Sequence, residues 1–475
     1  MFTEIFQRFH DRTLFQCDNG TSFRYAEVHE LSLRPAIQNV RGQLVFCLCA
    51  NVPGALLGYL GLITAGAVPV MLSATISPSH LAQLVECYRP AFAWLPQVRT
   101  RELHRVSTVM TEWDHSLVAF DTPNAESIHD SLALLLTTSG STGSPKMVRI
   151  SHENIISNAQ AISDYLGLTC NEIPITTLPP SYTYGLSVIH SHLLNGCEIA
   201  LTNRTLFDRQ FWEFLEASKA SSMSGVPYHY EMMRKLKFTS MDLPNLRTLT
   251  QAGGRLKPTL VSEYATHCVK KGIRFFVMYG QAEATARMSY LAPEKALLKP
   301  DSIGQPVPGG RMWLEDESGN IIHDVAHAGQ LVYQGKNVCL GYAESARDLA
   351  KGNEFGDILK TGDVAQRDAE GDYYIVGRLS RFLKFFGHRV NLQDIEDDLQ
   401  EQGYVTACTG KDDQLDVFIC DAGSESAKAI KNAIAGKLKL PPNIIRILIV
   451  KALPRNESGK IQYSELSQLR VEALL

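Results

Sequence analysis

A long stretch without charged side chains constrains the fold of this chain most strongly. No Asp, Glu, Lys or Arg occurs between Arg41 and Glu86, and residues 53–72 are apolar over about the length of a bilayer span, which takes roughly 20 residues. The stretch also contains several glycines and a break at Gly66–Pro69. This break predicts a short helix followed by a short strand, Val68 to Leu72, both buried in a core rather than spanning a membrane.

Short apolar runs alternate with helical patterns along the first 300 residues. The runs predict strands at 44–50, 68–72, 91–95, 132–137, 199–201 and 275–278, and the helical patterns cover 152–165, 207–217 and 259–271. Strands that alternate with helices predict an α/β fold with largely parallel sheets. From about residue 301, short strands with glycine turns indicate a β-rich subdomain, and an acidic helix and a final α+β segment follow Arg378.

These changes in the pattern of predicted strands and helices indicate two domains. We expect a large N-terminal domain of stacked α/β sheets over residues 1–379, in which about 301–379 form the β-rich subdomain. A small α+β C-terminal domain is expected over 380–475.

Composition and charge exclude several classes of protein. The chain has 46 Lys and Arg against 50 Asp and Glu, a net charge of −4, and therefore lacks the basic excess typical of nucleic-acid binding. The ten cysteines form no CxxC pair, and Cys47 and Cys49 are predicted to be buried apolar residues of one strand. Scattered cysteines and an N-terminus without a continuous apolar core favour a reducing, cytoplasmic location without a signal peptide.

The most specific local pattern is a loop of small residues that follows an apolar strand. The run LLLTTSGSTGSPK ends at Lys146, and a helix is predicted to start near Ser151. Small residues let backbone N–H groups approach an anion, the hydroxyls add donors and the lysine adds positive charge, so the pattern predicts a phosphate-binding loop. It is not a Walker A loop, and the chain contains neither the GxSxG elbow of α/β-hydrolases nor an HExxH zinc motif.

The loop closely resembles the signature of the adenylate-forming superfamily, which includes acyl-CoA synthetases, peptide-synthetase adenylation domains and luciferases. Other motifs of that family occur in its order along nearly the whole chain. They are GAVPVM at 66–71, LPPSYTYGL at 178–186, QAGGRL at 251–256, MYGQAEAT at 278–285, SIGQPVPG at 302–309, TGD at 361–363, the segment from GR at 377–378 to GHRV at 387–390, and LPRNESGKI at 453–461.

The resemblance implies a reaction in two halves and a role for each motif. A carboxylate attacks ATP to give an acyl-adenylate and pyrophosphate, and a thiol then takes the acyl group and releases AMP. The implied catalytic residues are Lys460, Glu283 and Thr138, with Glu283 also as the ligand of Mg²⁺. The implied ATP and AMP contacts are Thr138, Ser139, Gly140, Ser141, Thr142, Gly143, Lys146, Gly253, Gly254, Tyr279, Gly280, Gln281, Asp363 and Arg378. The implied acyl pocket contains Tyr182, Tyr184, Gly185 and Val226, and the hinge and thiol entry contain Ser380, Lys384, Gly387, His388 and Arg389.

The resemblance also implies that the C-terminal domain is mobile and rotates between the two half-reactions. Several positions depart from the family pattern. Ser380 occupies a hinge position where many relatives carry Asp or Lys, and Ala282 replaces the threonine of YGxTE. Gln330 stands where the family usually has the glutamate of GEL, and Met147 where it has the glycine of PKG.

The acid and the acceptor remain open at this point. Amino-acid-activating relatives carry an Asp near the tyrosine motif, whereas residues 184–187 contain no acid, so a free ammonium group would be buried unpaired. A fatty or aryl carboxylic acid is therefore expected, with coenzyme A as the thiol. Two alternatives are a stand-alone ligase that loads an acyl or aminoacyl group onto the phosphopantetheine of a separate acyl carrier protein, and a catalytically degenerate adenylate-binding subunit.

Overall fold

The computed structural model describes residues 2–123, 127–137, 146–385, 388–420, 423–455, 461–469, 471 and 473–474. The helices are α1 (Phe2–Arg8), α2 (Tyr25–Leu33), α3 (Pro35–Gln38), α4 (Pro53–Thr64), α5 (Pro78–Tyr88), α6 (His152–Leu166), α7 (Thr183–Leu194), α8 (Arg209–Ala217), α9 (Pro227–Lys235), α10 (Pro258–Lys271), α11 (Leu392–Glu401) and α12 (Ser424–Leu438).

The strands begin with β1 (Thr13–Cys17), β2 (Ser22–Arg24), β3 (Leu44–Cys49), β4 (Val68–Ser73), β5 (Phe92–Pro96), β6 (Val106–Glu112), β7 (His115–Phe120), β8 (Leu132–Thr137), β9 (Met147–Ser151), β10 (Pro174–Ile175), β11 (Ile199–Leu201), β12 (Ser222–Gly225), β13 (Thr248–Gln251) and β14 (Arg274–Tyr279). They continue with β15 (Ser289–Leu291), β16 (Gln305–Pro306), β17 (Arg311–Glu315), β18 (Gly329–Gln334), β19 (Gly341–Ala343), β20 (Ile358–Arg367), β21 (Tyr373–Arg378), β22 (Phe382–Phe385), β23 (His388–Asn391), β24 (Thr406–Lys411), β25 (Gln414–Cys420), β26 (Ile445–Val450) and β27 (Ala473–Leu474).

These elements form two compact units. The first takes in most of residues 2–312 together with 333–359, and the second takes in 313–332 and most of 360–474. The domain boundary near residue 379, and the mobility of the domain after it, stay predictions.

The first unit contains two large mixed sheets. One has the strand order β16-β15-β14-β13-β12-β10-β11-β1-β2, and the other has the order β19-β9-β8-β4-β3-β5-β7-β6. Central neighbours such as β13–β14 and β3–β4 are parallel, whereas the edge pairs β15–β16 and β6–β7 are antiparallel. The α/β prediction is confirmed, but parallel pairing is confined to the sheet centres. At the edge, β6 and β7 are joined by a turn of only Trp113 and Asp114, which permits antiparallel pairing alone.

The uncharged stretch forms α4 and β4 inside the first unit. A Cβ added at Gly58 of α4 would lie 2.0 Å from Nε1 of Trp94, and this Nε1 donates to the carbonyl oxygen of Gly54 at 2.8 Å. The glycines therefore let a large aromatic side chain approach the helix backbone in the core. The predicted buried helix and strand are confirmed. Across the described residues, no helix has the length and apolarity that a membrane span requires.

The strands predicted from apolar runs are present as β3, β4, β5, β8, β11 and β14, and the three predicted helices are α6, α8 and α10. Helix α6 begins where predicted because Ser151 and Asn154 cap it reciprocally: the Asn154 N–H donates to Ser151 Oγ at 3.1 Å, and the Ser151 N–H donates to Asn154 Oδ1 at 2.8 Å. Cys47 and Cys49 are both buried in β3, as predicted.

Most residues of a four-stranded sheet in the order β17-β18-β20-β21 belong to the second unit. This unit also contains the hairpin β22–β23 and a further sheet in the order β24-β25-β26-β27. The predominance of strands after residue 301 and the acidic helix α11 were both predicted. Apolar side chains of α11, β25 and β26, such as Ile395, Val417 and Ile447, form a core of their own. This core explains how a short terminal segment of α+β structure is stabilised.

Candidate active site

The loop after β14 is held in a strained and tightly bonded conformation. A Cβ added at Gly280 would lie 1.7 Å from the Ala286 carbonyl oxygen, so only glycine fits this turn, and Thr285 has a positive φ of 63°. The Asn337 side chain donates to the carbonyl oxygens of Ala284 at 2.9 Å and Arg287 at 3.1 Å, and Thr285 Oγ1 donates to the Asn337 carbonyl at 2.7 Å. These bonds fix the backbone on both sides of Glu283.

Three side chains of the first unit come together beside this loop. The Tyr342 hydroxyl donates to Glu283 Oε1 at 2.9 Å, and Lys146 Nζ lies 3.6 Å from the centroid of the Tyr342 ring. Antiparallel pairing of β19 with β9 places Tyr342 opposite Val148, close in sequence to Lys146. The structure therefore brings together the predicted lysine and the predicted glutamate through a tyrosine.

Sequence reasoning missed Tyr342. It belongs to none of the motifs identified in the sequence, and its partner strand lies far earlier in the chain. The only available signal was a tyrosine beside a glycine, and this signal cannot distinguish a site residue from a core residue. Strand pairing, which the sequence does not specify, gives Tyr342 its position.

The four predicted acyl-pocket residues lie together with the predicted glycine turn. Gly253 has a φ of +84°, and a Cβ added there would lie 2.5 Å from Tyr182 Oη and 2.9 Å from Val226 Cγ1. Tyr184 and Val226 belong to one buried apolar cluster, and the partly buried Tyr182 packs against it. A Cβ at Gly185 would lie 2.4 Å from the carbonyl oxygen of Pro179, so the start of α7 packs directly on the preceding backbone.

The tyrosine and histidine side chains around this glycine turn are neutral. The Tyr184 hydroxyl bonds to the Thr250 carbonyl at 3.0 Å and to its side-chain oxygen at 2.8 Å, and burial raises the pKa of Tyr184 and of Tyr182. Burial also lowers the pKa of His229, whose Nδ1 accepts from the Val226 N–H at 3.2 Å, to about 4. These side chains therefore supply hydrogen bonds but no negative charge to a substrate.

The remaining predicted nucleotide contacts of the first unit lie at the ends of β13 and β14. Gln251 Nε2 donates to the Gly254 carbonyl at 2.8 Å, which stabilises the glycine turn after β13. Tyr279 ends β14 half-exposed, and its hydroxyl accepts from Gln281 Nε2 at 3.2 Å. The turn and the aromatic face are both suited to contact a flat heterocycle.

In the second unit, Asp363 and Arg378 form an ion pair across β20 and β21. Their backbones are opposite each other, and Arg378 Nε donates to Asp363 Oδ1 at 2.9 Å. Asp363 is largely buried, and its N–H donates to Thr361 Oγ1 at 3.1 Å. The arginine therefore orients one carboxylate oxygen of the aspartate.

The described hinge and thiol-entry residues also lie in the second unit. Ser380 is exposed in the turn Leu379–Arg381 between β21 and β22, and Lys384 is exposed on β22 opposite Arg389 of β23. The Lys384 N–H donates to Asp412 Oδ1 at 2.9 Å. His388 begins β23, and the predicted Gly387 lies outside the described residues.

Several predicted site residues lie outside the described part of the chain. They are Thr138, Ser139, Gly140, Ser141, Thr142, Gly143 and Lys460. The described residues that flank them are held together: Thr137 pairs with Met147 across β8 and β9, and Arg455 forms an isolated β-bridge with Ile461.

Comparison with known proteins gives a family and several relatives. The family model for AMP-binding enzymes matches residues 2–343. The chain is 27% identical to 2-succinylbenzoate–CoA ligase of Enterococcus faecalis over 73% of this chain and 71% of that protein. It is 23% identical to oxalate–CoA ligase of Arabidopsis thaliana over 98% of this chain and 97% of that protein. It is 26% identical to a linear gramicidin synthase of Brevibacillus parabrevis over 92% of this chain, but spans only 9% of that protein.

Solved structures share the fold. O-succinylbenzoate coenzyme A synthetase from Bacillus subtilis in complex with AMP matches with a TM-score of 0.79 and 21% identity, over 99% of this chain and 98% of that chain. The same synthetase in complex with ATP and magnesium matches with a TM-score of 0.77 and 22% identity, over 98% of both chains. These structures confirm the predicted fold, and the family model over residues 2–343 confirms the predicted superfamily. The chain belongs to the family of AMP-binding enzymes, and it is an AMP-forming ligase that joins an acid to a thiol.

Proposed function

We propose that this enzyme activates an aryl or fatty carboxylic acid with ATP and transfers the acyl group to coenzyme A. The observation that carries the proposal is the arrangement of Lys146, Tyr342 and Glu283, in which a tyrosine joins one carboxylate to the cation that ends the phosphate-loop motif. A positive group and a metal-binding group on one surface suit the triphosphate of a nucleotide. The similarity to 2-succinylbenzoate–CoA ligase and oxalate–CoA ligase supports coenzyme A as the acceptor.

The residues present fit the Mg²⁺ that enzymes of this family use. Mg²⁺ takes one or two protein carboxylates and fills its other positions with phosphate oxygens and water. Glu283 offers one carboxylate, and the bond from Tyr342 to Oε1 fixes its orientation. When bound, the ion would neutralise charge on the phosphates.

The remaining roles follow from the family motifs. The phosphate loop with Lys146 would hold the triphosphate, and the turn at Gly253–Gly254 with Tyr279 would hold the adenine. Asp363 would accept hydrogen bonds from the ribose hydroxyls, with Arg378 beside it. Lys460 would stabilise the charge that develops as the carboxylate attacks the α-phosphate, because two anions approach each other in that step.

The composition of the acyl pocket supports an acid without a free amino group. Tyr182, Tyr184 and Val226 offer aromatic and apolar surface, and burial keeps both tyrosines neutral. An ammonium group there would lose its hydration without gaining a carboxylate partner. The name of the 2-succinylbenzoate ligases favours an aryl acid over a fatty acid.

A second candidate is a ligase that loads a separate carrier protein. The similarity to the linear gramicidin synthase over 92% of this chain favours it. Coenzyme A and a carrier protein present the same phosphopantetheine thiol, so both candidates predict the same adenylation step. We also propose a cytoplasmic location, which the ten free cysteines support.

Pyrophosphate release from Mg·ATP tests the proposed function. The purified enzyme is assayed with aryl acids, 2-succinylbenzoate, oxalate, fatty acids of several lengths and the common amino acids, first without a thiol and then with coenzyme A. We expect release with one class of acid and a further rate increase with coenzyme A. Release that responds only to a phosphopantetheinylated carrier protein would favour the second candidate. Nucleotide binding without release for any acid would instead support a degenerate protein in which Ala282 marks a lost activity.

Replacing Tyr342 with phenylalanine tests the metal-binding arrangement. Phenylalanine keeps the ring below Lys146 but removes the hydroxyl that orients Glu283. We expect adenylation to fall about 10-fold and the Mg²⁺ concentration for half-maximal activity to rise, since loss of a hydrogen bond to a metal ligand typically costs about 10–100-fold. Calorimetric titration of ATP with and without Mg²⁺ gives an independent measurement. Tyr404→Phe in the second unit serves as the matched control, and equal effects of the two variants would contradict the proposed role.

A further inference from the structure

Arg287 is a buried cation whose hydrogen-bonding groups are only partly used. The residue is 2% exposed. Its Nη1 lies 2.9 Å from Tyr165 Oη and 3.4 Å from Met278 Sδ, and its Nε is buried without a hydrogen-bond partner. Its guanidinium carbon lies 5.0 Å from the ring centroid of Tyr184. All of these neighbours are neutral.

A second buried arginine of the same unit, Arg149, has both hydrogen-bond acceptors and a counter-charge for its guanidinium. Arg149 is fully buried, and it donates to the carbonyl oxygens of Tyr342 at 3.0 Å and Leu340 at 3.1 Å. It also forms an ion pair with Glu354 at 2.5 Å. Arg287 forms no ion pair with any carboxylate in the described part of the chain. A buried charge without a counter-charge destabilises a fold, so its presence calls for an anion that arrives from outside.

The position of Arg287 identifies that anion. Its guanidinium lies against Tyr184, and Tyr184 belongs to the buried cluster that forms the proposed acyl pocket. Thr183, which precedes Tyr184, and Thr285, two residues before Arg287, line a small cavity together with Asn158. Arg287 and Tyr184 do not line this cavity themselves. Asn158 Nδ2 donates to the backbone carbonyl of Arg287 at 2.8 Å, which ties the arginine backbone to the cavity wall.

We propose that Arg287 binds a second carboxylate on the acid substrate, so that the enzyme activates a dicarboxylic acid. The first carboxylate is the group that is adenylated, and the second pairs with the guanidinium at the far end of the acyl pocket. Guanidinium and carboxylate are complementary in shape and charge, and the guanidinium can donate two parallel hydrogen bonds to the carboxylate in a dry pocket. This proposal rests on the proposed acid activation and specifies the class of acid.

The test compares acids that differ only in the second charge. Pyrophosphate release is measured with succinate, glutarate, adipate, phthalate and 2-succinylbenzoate, each against its mono-amides, which have the same shape without the second charge. For at least one pair we expect a kcat/KM about 100-fold higher for the diacid. The mono-amide would leave the buried guanidinium without its anion, and sites with an unpaired buried polar group discriminate strongly between substrates. Arg287→Met should lower kcat/KM for that diacid by a similar factor and leave the mono-amide within about threefold of the wild type.

Stability separates a substrate-binding role from a structural one. Replacing an unpaired buried cation with an apolar side chain of similar length should hold or raise the Tm. Arg149→Met should lower it, because the carbonyl oxygens of Tyr342 and Leu340 lose their buried donor. The same diacid should raise the Tm of the wild type and leave that of Arg287→Met unchanged. Arg274→Met is the matched control, because Arg274 also lies over an aromatic ring but donates to Leu166 and Thr248, and it should not alter the diacid preference.

Three results would overturn the proposal. They are a wild type that uses each mono-amide as well as its diacid, an Arg287→Met variant that loses activity with both acids equally, and a large drop in its Tm. Release with monocarboxylic acids alone would leave acid activation intact and reject only the second carboxylate. Absence of release with every acid would reject the proposed function itself, and the dicarboxylic acid with it.

Discussion

Replacing Lys460 with alanine is expected to abolish formation of the acyl-adenylate while leaving transfer from a preformed acyl-adenylate to the thiol largely intact. Adenylation brings a carboxylate against the α-phosphate, so loss of the cation should slow this step most. Loss of one such group in a shielded site typically costs about 100–1000-fold in rate. In the second half-reaction a neutral thioester forms and AMP leaves, and the resemblance assigns no role to this lysine there.

Two assays on one preparation check this prediction. Pyrophosphate release from Mg·ATP and the acid reports the first half-reaction, and AMP release from synthetic acyl-adenylate with coenzyme A reports the second. Lys451→Ala is a suitable control, because Lys451 is an exposed lysine of the same unit and belongs to no proposed site. Equal loss in both assays would reject the role assigned to Lys460.

Replacing Arg381 with methionine is expected to destabilise the second unit by about 3 kcal/mol, because it leaves the Glu396 carboxylate buried without its cation. Arg381 Nη2 lies 2.5 Å from Glu396 Oε1, and Nη1 donates to the Cys408 carbonyl at 3.0 Å. The Arg381 guanidinium lies 4.0 Å from the ring centroid of Tyr463, whose hydroxyl donates to Glu396 Oε2 at 2.9 Å. Both charged side chains of the pair are largely buried, so solvent screens it little.

The stability lost on Arg381→Met should depend on pH in a defined direction. Burial raises the pKa of Glu396 above its usual value, and Arg381 opposes this shift. A carboxyl whose pKa is raised on folding favours the folded state below its unfolded pKa of 4.5, and this contribution is lost as the pH rises through the folded pKa. Without Arg381 the folded pKa rises further. The stability deficit of Arg381→Met should therefore be largest at pH 8 and shrink toward pH 5.

Urea unfolding of the wild type and the variant at these two pH values measures the effect. Lys437→Met is the matched control: Lys437 pairs with Asp398 in the same unit, but both of these side chains are exposed. A surface pair of this kind is worth about 0–1 kcal/mol, so its loss should be small. Comparable deficits for the two variants, or a deficit at Arg381 that does not change with pH, would contradict the buried-pair account.

Much of the fold was accessible from local patterns. The apolar runs predicted β3, β4, β5, β8, β11 and β14 because a buried strand must be apolar on both faces, and Ser151 predicted the start of α6 because its hydroxyl caps a helix. The glycines and Pro69 indicated a buried helix and strand in place of a membrane span, and the structure has both. The antiparallel pairing of the edge strands was not predicted. The direction of pairing depends on the lengths of the connecting turns, which the apolar patterns do not reveal.

The motifs predicted the family, which the family model confirms. The roles that they assign to the phosphate loop, the carboxylate of Glu283 and the acyl pocket stay predictions. The two residues that the tertiary structure added, Tyr342 and Arg287, belong to no pattern that assigned them a role. Tyr342 reaches Glu283 only because β19 pairs with β9, and Arg287 differs from other arginines only because folding buries it against Tyr184 without a counter-charge among the described residues. The residue types alone establish which chemical groups are present. Tertiary structure decided which of them meet and which are left unpaired, because burial and pairing depend on contacts between segments far apart in the chain.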